Sequence, residues 1–340
     1  MIVQVSSPRL SFLGQVAAAL RVVAPGLALA FAGAGAGFLT HALLPGVPVV
    51  LVAIALGLLV ANVRGVPVAA RPGLALASGA LLRVGIVVLG FELVLQDILA
   101  LGARGLVVVV AVVLATFFGT LWAGRRLGVS EGLSLLVATG FSICGVSAIA
   151  AARGVSNADE EEVTYAIALV TLFGSLAIVL LPAVRGILGL DDHDYGVWVG
   201  ASVHDIAQVV ATSSAVGGVA VATAVVVKLT RVLLLGPLIA WIAWTKGRSA
   251  GAARAQLVPP FVLAFVGAAA LRSADLVPSG LLPPLADTKT VLLALALFAV
   301  GARVKLRRLL AVGGRPLVLG LSSWAIVAAV AYAGVTVVWS

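Results

Sequence analysis

The sequence predicts an all-α polytopic membrane protein with about eleven (10–11) transmembrane helices. Of its 340 residues, 62% are hydrophobic and only 10% are charged, whereas soluble domains carry about a quarter charged residues. Mean hydropathy is +1.22, and residues 22–63 contain no Lys, Arg, Asp or Glu. This apolar run is much longer than the hydrophobic region of a signal peptide, so we expect it to remain in the membrane.

Apolar segments of about twenty residues, divided at glycine, proline and charge clusters, define the predicted helices. Their limits are 22–44, 46–62, 73–96, 104–124, 131–152, 162–183, 195–215, 218–245, 257–272, 287–303 and 314–339. No linker or soluble domain interrupts them. We therefore expect one integral membrane domain over residues 1–340, with repeat-like halves at approximately 46–183 and 195–339.

The basic residues support this map. With the N-terminus in the cytoplasm, fifteen Lys and Arg fall inside and four fall outside, as the positive-inside rule requires. The inner residues are Arg9, Arg21, Arg64, Arg71, Arg125, Arg126, Arg185, Lys246, Arg248, Arg254, Arg303, Lys305, Arg307, Arg308 and Arg315. The outer residues are Arg104, Arg153, Arg272 and Lys289. On this map the acidic segment 159–162 lies outside and the acidic segment 191–194 lies inside.

Two internal matches indicate repeats. Residues 90–104 match residues 301–315 at an offset of 211, and the predicted spans that carry them run in opposite directions. Inverted repeats of this kind are typical of secondary transporters. Residues 140–144 also match residues 200–204 at an offset of 60, but those spans are parallel on the eleven-span map. The map therefore does not fit both matches into one two-repeat scheme.

The segment Thr139–Ala148 predicts a break at mid-membrane depth. Glycines bracket Ser142 and Cys144, the only cysteine in the chain. Unwound backbone is tolerated in a bilayer only where protein or a wet cavity surrounds it, and such breaks form substrate sites in transporters. Tight packing of small residues is the alternative. A break would place a half-helix N-terminus at Gly145, with Ser147 as its cap and the Ser142 hydroxyl as a donor to an anion.

Ionisable residues mark the span 195–215. A carboxylate there costs about 2.5–3.5 kcal/mol on insertion scales, so Asp205 is expected to face a cavity or a partner. His204 and Gln208 are four residues apart and share a helix face, and Asp205 lies beside that face. Asp205 is thus a candidate ion-coupling group tuned by His204, and pairing with a cation to lock helices is the structural alternative.

Three cations and two carboxylates lie within predicted spans. Lys228 and Arg231 are three residues apart on one helix face, and Arg83 lies in the span 73–96. Glu92 is nearer a span end than Asp205 is. The cationic excess favours an anionic substrate, bound by Lys228 and Arg231 with Arg83 in support.

The remaining polar residues narrow the chemistry. Thr171 and Ser175 share a helix face and either line the same cavity or bond back to their own helix. A single cysteine excludes an intrachain disulfide, and His41, His193 and His204 are too scattered along the chain to suggest a metal site. We expect no metal and no cofactor. The chain has no G-x-x-x-x-G-K-[ST] motif, so transport energy is expected from an H⁺ or Na⁺ gradient.

Four motifs together resemble the YeiH family, whose members are proposed to export sulfate or organosulfonates. They are Leu82–Phe91, Ser142–Ile149, Ser202–Val210 and Val227–Val232, in that order. Two departures are that Asp205 stands where Glu is expected and Glu92 where a basic or polar residue is common. The second departure changes the local charge balance.

The resemblance implies a bacterial inner-membrane transporter related to the cation:proton antiporter and anion transporter superfamily. It also implies a fold like that of the bile-acid sodium symporters, with two broken helices crossing at mid-membrane. The expected partners are a small anionic substrate and membrane lipids, with a homodimer as one assembly to test and no nucleic acid.

Three functions remain open from the sequence. The first is gradient-driven anion transport, with a substrate site at Ser142, Cys144, Gly145, Ser147, His204, Gln208, Lys228 and Arg231. The second is cation/proton antiport that uses Asp205 and Glu92 as ligands. The third is an intramembrane hydrolase that pairs Ser142 or Cys144 with His204, but the G-x-S-x-G elbow lacks its second glycine. We therefore expect a transporter and not an enzyme.

Overall fold

The computed structural model describes residues 12–44, 47–92, 102–246, 260–304 and 314–339, and all regular secondary structure among them is helical. Seven helices in this part are long and apolar enough to cross a membrane. They are Leu20–Leu43, Val68–Glu92, Gly102–Leu127, Glu160–Leu188, Gly218–Thr245, Ser279–Gly301 and Gly314–Val338. Two shorter apolar helices are Val49–Val63 and Pro260–Ser273. The protein is therefore an α-helical membrane protein.

Some of the predicted features lie outside the described residues. In the match at an offset of 211, residues 93–101 and 305–313 lie outside the described part. So do the basic residues Arg9, Arg248, Arg254, Lys305, Arg307 and Arg308.

Three spanning helices are composite, and one of them, Ser279–Gly301, begins with the 3₁₀ turn Ser279–Leu281. Val68–Glu92 contains a π-turn at Ala77–Leu81, after which the α-helix Leu82–Leu89 continues. Gly218–Thr245 consists of Gly218–Leu233 and Leu235–Thr245.

The remaining four helices form two hairpins. The first hairpin has the arms Glu131–Ser142 and Val146–Arg153. The second hairpin has the arms Asp192–Ser202 and Ile206–Ser214. We call the short turns between the arms the first tip, residues 143–145, and the second tip, residues 203–205.

In the first hairpin the second arm folds back along the first. A Cβ on Gly140 would lie 2.9 Å from Cγ1 of Ile149, although nine residues of continuous helix span about 13 Å. The start of the first arm also lies beside the start of the next helix, because the Ser130 hydroxyl donates a hydrogen bond to Glu162. The chain therefore returns to its starting side before Glu160–Leu188 begins.

The second hairpin is closed in the same way. The Tyr195 hydroxyl donates a hydrogen bond to the carbonyl of Thr212 at 3.2 Å, which joins the two arms near their open ends. Cβ atoms on Gly196 and Gly200 would lie 2.8 and 2.5 Å from the carbonyl oxygens of Ala220 and Ala224. The first arm therefore runs parallel to Gly218–Leu233. The second arm, which lies between these two helices in the sequence, runs in the opposite direction.

The prediction that the segments 131–152 and 195–215 each cross the membrane is thus wrong, and the eleven-span map is not supported. Each segment is apolar and of spanning length, but its two ends lie side by side. The physical reason is local at the first tip, where Gly145 has φ 70° and ψ −126°. This backbone conformation is open to glycine and reverses the chain. The two broken helices that the family resemblance implies are present as interruptions, but in the form of hairpins.

The helices Val68–Glu92 and Ser279–Gly301 pack antiparallel. Arg303 Nη1 donates to Ser78 Oγ at 2.9 Å, and at the other end Lys289 Nζ donates to the carboxylate of Glu92 at 2.6 and 2.7 Å. Between them, a Cβ on Gly85 would lie 3.0 Å from Leu293. Residue numbers rise along one helix while they fall along the other, as the 211-residue match predicts for spans of opposite direction.

Candidate functional site

The two hairpin tips meet. A Cβ on Gly145 of the first tip would lie 3.7 Å from both the backbone nitrogen and the Cβ of Asp205 in the second tip. The segment with the predicted break and the segment with the ionisable residues His204 and Asp205 therefore lie side by side.

The match between residues 140–144 and 200–204, at an offset of 60, marks equivalent points of the two hairpins. The first arms end at Ser142 and Ser202, and the second arms begin at Val146 and Ile206. Each pair is separated by 60 residues. The match between residues 140–144 and 200–204 therefore covers the last turn of each first arm and the start of each tip.

Arg231 joins the ends of both first arms. Its Nε and Nη2 donate to the Ser142 carbonyl at 3.1 and 2.7 Å, and Nη2 also donates to the Phe141 carbonyl at 2.9 Å. On the second hairpin, Nη1 donates at 2.6 Å to Ala201 and at 3.2 Å to Gly200 and Val203. The last carbonyls of a helix have no partner within it and carry the negative end of its dipole. The buried guanidinium therefore caps two helices at once.

Lys228 makes a second bridge between the tips. Its fully buried ammonium donates to the carbonyl of Ile143 at 2.5 Å and to that of Val203 at 2.9 Å. Lys228 and Arg231 share one face of Gly218–Leu233, as predicted. The structure thus brings both cations to the predicted break, where backbone carbonyls occupy most of their donors.

Asp205 begins the second arm of the second hairpin. Its Oδ1 accepts a hydrogen bond from the Ala207 backbone at 2.9 Å, while the Asp205 backbone donates to Gln208 Oε1 at 3.3 Å. This reciprocal pair is a capping box. Gln208 Nε2 also donates to the Thr171 carbonyl at 3.4 Å. The predicted shared helix face of His204 and Gln208 is wrong, because the helix is interrupted at 203–205.

His204 is completely buried in the second tip. Its ring packs on Phe141 with centroids 4.2 Å apart, and within the described part of the chain neither ring nitrogen makes a hydrogen bond of ordinary geometry. The Ser142 hydroxyl donates instead to the Thr139 carbonyl of its own arm at 3.2 Å. Cys144 is also buried. The hydrogen bonds of the described residues therefore include no Ser142–His204 or Cys144–His204 pair.

At the first tip the capping residue is Gly145. It makes no side-chain cap, and Ser147 is an exposed residue one position inside the second arm. The predicted capping role of Ser147 is wrong, because the glycine turn moves the start of the arm to Val146. The Ser147 side chain is exposed in the first turn of this arm.

The remaining predicted site residues have three different surroundings. Thr171 and Ser175 bond back to carbonyls of their own helix at 2.7 and 2.6 Å. The charged pair Glu92–Lys289 holds two helices together, as described above. The guanidinium carbon of Arg83 lies 6.0 Å from the ring centroid of Phe261.

Sequence reasoning missed Arg303, which was assigned to an inner loop. The available signal was the match at an offset of 211, in which Arg303 is equivalent to Glu92. Each of these residues lies two positions after a glycine, Gly301 or Gly90.

A group of possible metal ligands lies at the open end of the second hairpin. Asp191, His193 and Asp194 bring ligand atoms within 4.8 Å of one another. Asp191 Oδ1 accepts the Asp194 backbone N–H at 2.8 Å as a helix cap, and His193 contacts Asp194 at 3.1 Å. These bonds account for the group as the N-terminal cap of the hairpin, away from the tips.

Comparison with known proteins shows which family this architecture represents. Residues 25–320 match the family model described as conserved hypothetical protein 698. A UPF0324 membrane protein of Corynebacterium glutamicum is 40% identical over 319 residues, which cover 93% of this chain and 92% of the relative. The UPF0324 inner membrane protein YeiH of Salmonella typhi is 35% identical over 260 residues, 74% of each chain. No solved structure matches. The chain belongs to the UPF0324 membrane protein family, which includes YeiH.

Proposed function

We propose that this protein is a secondary active transporter that exports a small anion, such as sulfate or a sulfonate, at the meeting point of its hairpins. The observation that carries the proposal is the burial of Lys228 and Arg231 against both tips, with Asp205 as the carboxylate beside them. Charged side chains inside membrane segments are rare and mark substrate or ion pathways.

The charge balance at the tips favours an anion. Two first arms direct helix C-termini of about −0.5 charge each toward the two cations, and two second arms direct N-termini of about +0.5 each toward the tips. The partial charges of the four helix ends therefore cancel. Lys228, Arg231 and the Asp205 carboxylate then leave a net charge of about +1. An excess of positive charge in a low-dielectric region attracts an anion and repels a cation.

The topology supports transport by alternating access. We propose nine membrane crossings, made by the seven long and two short helices, with the hairpins entering from opposite sides. The helices that begin at Val49, Val68 and Gly102 then correspond to those that begin at Pro260, Ser279 and Gly314, each about 211 residues later. Both internal matches fit one inverted two-fold relation in which the chain order is permuted, because the hairpin follows the three helices in the first half and precedes them in the second. Transporters of this kind bind substrate near the midplane, where the repeats meet.

Cation/proton antiport is the alternative, and the proximity of Asp205 to Lys228 favours it as the second candidate. A cation could compete with Lys228 for the carboxylate. Glu92, the second proposed ligand, is held by Lys289 instead. For this reason we place anion transport first, with H⁺ or Na⁺ as the coupling ion, no cofactor and no enzymatic activity.

The test is uptake by proteoliposomes. Labelled sulfate, taurine and sulfolactate are supplied under imposed proton or sodium gradients, and Lys228→Gln is compared with Lys289→Gln. We expect gradient-dependent uptake of at least one anion that falls by more than tenfold in Lys228→Gln and by less than twofold in Lys289→Gln. Sodium/proton exchange without anion uptake, retained in Lys228→Gln, would favour the antiporter. We also propose the bacterial inner membrane as its location, with a cytoplasmic N-terminus.

A further inference from the structure

Arg83 is an exposed cation in the middle of a membrane-crossing helix. It lies fifteen residues after the start of Val68–Glu92 and nine before its end. A guanidinium that faces lipid is strongly disfavoured, so in-span arginines face a water-filled cavity or a partner. The Phe261 ring covers the guanidinium from one direction at 6.0 Å. An exposed guanidinium at this depth therefore requires water or a polar partner.

Arg303 is fixed beside the same helix. Its Nη1 donates to Ser78 Oγ at 2.9 Å, and Ser78 lies in the π-turn Ala77–Leu81. Such turns occur frequently at functional sites. The backbone after Arg303 is also held, because Asn62 Nδ2 donates to the Val304 carbonyl at 2.9 Å. Arg303 is thus a positioned and exposed guanidinium rather than an ordinary loop side chain.

The helices that carry the two arginines pack against the start of the second arm. Ala207 belongs to the same buried cluster as Leu82, which directly precedes Arg83, and Val300, three residues before Arg303, packs against that cluster. Asp205, two residues before Ala207, is half-buried. Both arginines therefore belong to elements that adjoin the second tip.

The buried cations are engaged elsewhere. All three nitrogen atoms of Arg231 donate to carbonyl groups, and Lys228 uses two of its three donors in the same way. Neither side chain has the free planar donor edge that recognises an oxyanion.

We propose that Arg83 and Arg303 form the anion-recognition pair of this transporter, an inference that rests on the proposed anion transport. Lys228 and Arg231 then hold the tips together, and the two arginines contact the substrate. Guanidinium groups bind sulfate and sulfonate oxygens through parallel N–H···O bonds, which a halide cannot accept in the same geometry.

Substitution of the two arginines tests the pair. Arg83→Gln and Arg303→Gln are compared with Arg64→Gln, an exposed arginine at the end of Val49–Val63. Two measurements are made on monodisperse protein: the KM of the transported anion in proteoliposomes, and the rise in melting temperature that sulfate, taurine or sulfolactate produces in detergent. We expect at least a tenfold higher KM and loss of the thermal shift in the first two variants, with no change in Arg64→Gln.

Two further variants separate binding from folding. Arg303→Lys keeps the charge without the planar fork and should give an intermediate KM. Ser78→Ala removes only the hydrogen bond that positions Arg303 and should raise KM a few-fold. If wild type transports an anion while both glutamine variants keep their KM and thermal shift within twofold, the recognition pair is disproved and the proposed function stands. If wild type neither transports nor is stabilised by any of the anions, both proposals fail.

Discussion

Arg303 donates a hydrogen bond to Ser78, and Lys289 donates a hydrogen bond to Glu92. The two contacts join the same two pairs of equivalent positions in the repeat. Ser78 corresponds to Lys289 and Glu92 corresponds to Arg303 at the offset of 211. Such reciprocity is what a two-fold relation between paired elements requires.

The glycines of the same match repeat this relation. A Cβ on Gly90 would lie 2.6 Å from the Phe265 carbonyl, and one on Gly301 would lie 2.3 Å from the Ile54 carbonyl. Phe265 and Ile54 are again 211 residues apart. Each glycine allows a long helix to contact the backbone of a short one, so the sequence match reflects packing at two equivalent sites.

The hairpin topology is tested by labelling from outside the cell. In a Cys144→Ala background, we expect a membrane-impermeant maleimide to label His193→Cys in intact cells and Glu161→Cys only after permeabilisation. Both positions are exposed. His193 lies at the start of the second hairpin, and Glu161 lies at the start of the helix that follows the first hairpin. The eleven-span map predicts the reverse pattern, so one experiment decides between the two topologies.

Removal of Arg231 should destabilise the meeting of the hairpins. Arg231→Met leaves helix-end carbonyls of both first arms unpaired, and each such buried group costs about 1–3 kcal/mol. We expect a loss of at least about 3 kcal/mol in thermal unfolding followed by tryptophan fluorescence, and a smaller loss for Arg231→Lys. Arg153→Met, at an exposed ion pair with Glu160, serves as the control with less than about 1 kcal/mol. An unchanged melting curve for Arg231→Met would show that the caps contribute nothing.

Asp205→Asn separates ion coupling from helix capping. Asparagine caps helices as well as aspartate does, so the second hairpin should fold normally. We expect loss of proton-driven uptake and of its pH dependence, while anion exchange across the membrane without a gradient continues. Normal uptake with an unchanged pH dependence would leave Asp205 only its structural role as the N-cap of Ile206–Ser214.

Gly145→Ala tests the first tip. Alanine at a positive φ costs about 1–2 kcal/mol, and its Cβ would lie 2.9 Å from Val170 Cγ1. We expect a lower melting temperature and reduced transport. Gly267→Ala is the matched control, because its Cβ would meet nothing within 4 Å in the helix Pro260–Ser273. Equal melting temperatures for the two variants would contradict the importance of this turn.

Loop charges could not reveal the hairpins. When two hairpins replace two spans, only the chain segment between the hairpins changes its position relative to the membrane. On the hairpin map Arg153 is therefore inside and Arg185 is outside. The count of fifteen inner and four outer basic residues is therefore identical on both maps. The acidic residues 191–194 move outside and the acidic residues 159–162 move inside, so the acidic segments do not distinguish the two maps either.

The sequence by itself determined the helical membrane class, the break at 142–147 and the concentration of charge at residues 204–231. These features depend on composition and on local backbone preferences, since lipid excludes unpaired polar groups wherever the segment lies. Only the tertiary structure decided that the chain turns back at each tip and that Lys228 and Arg231 cap helix ends. Hydropathy measures how apolar a segment is and carries no information on its direction. The partners of a buried cation are backbone carbonyls up to 90 residues away, which are present in every sequence and are brought together only by folding.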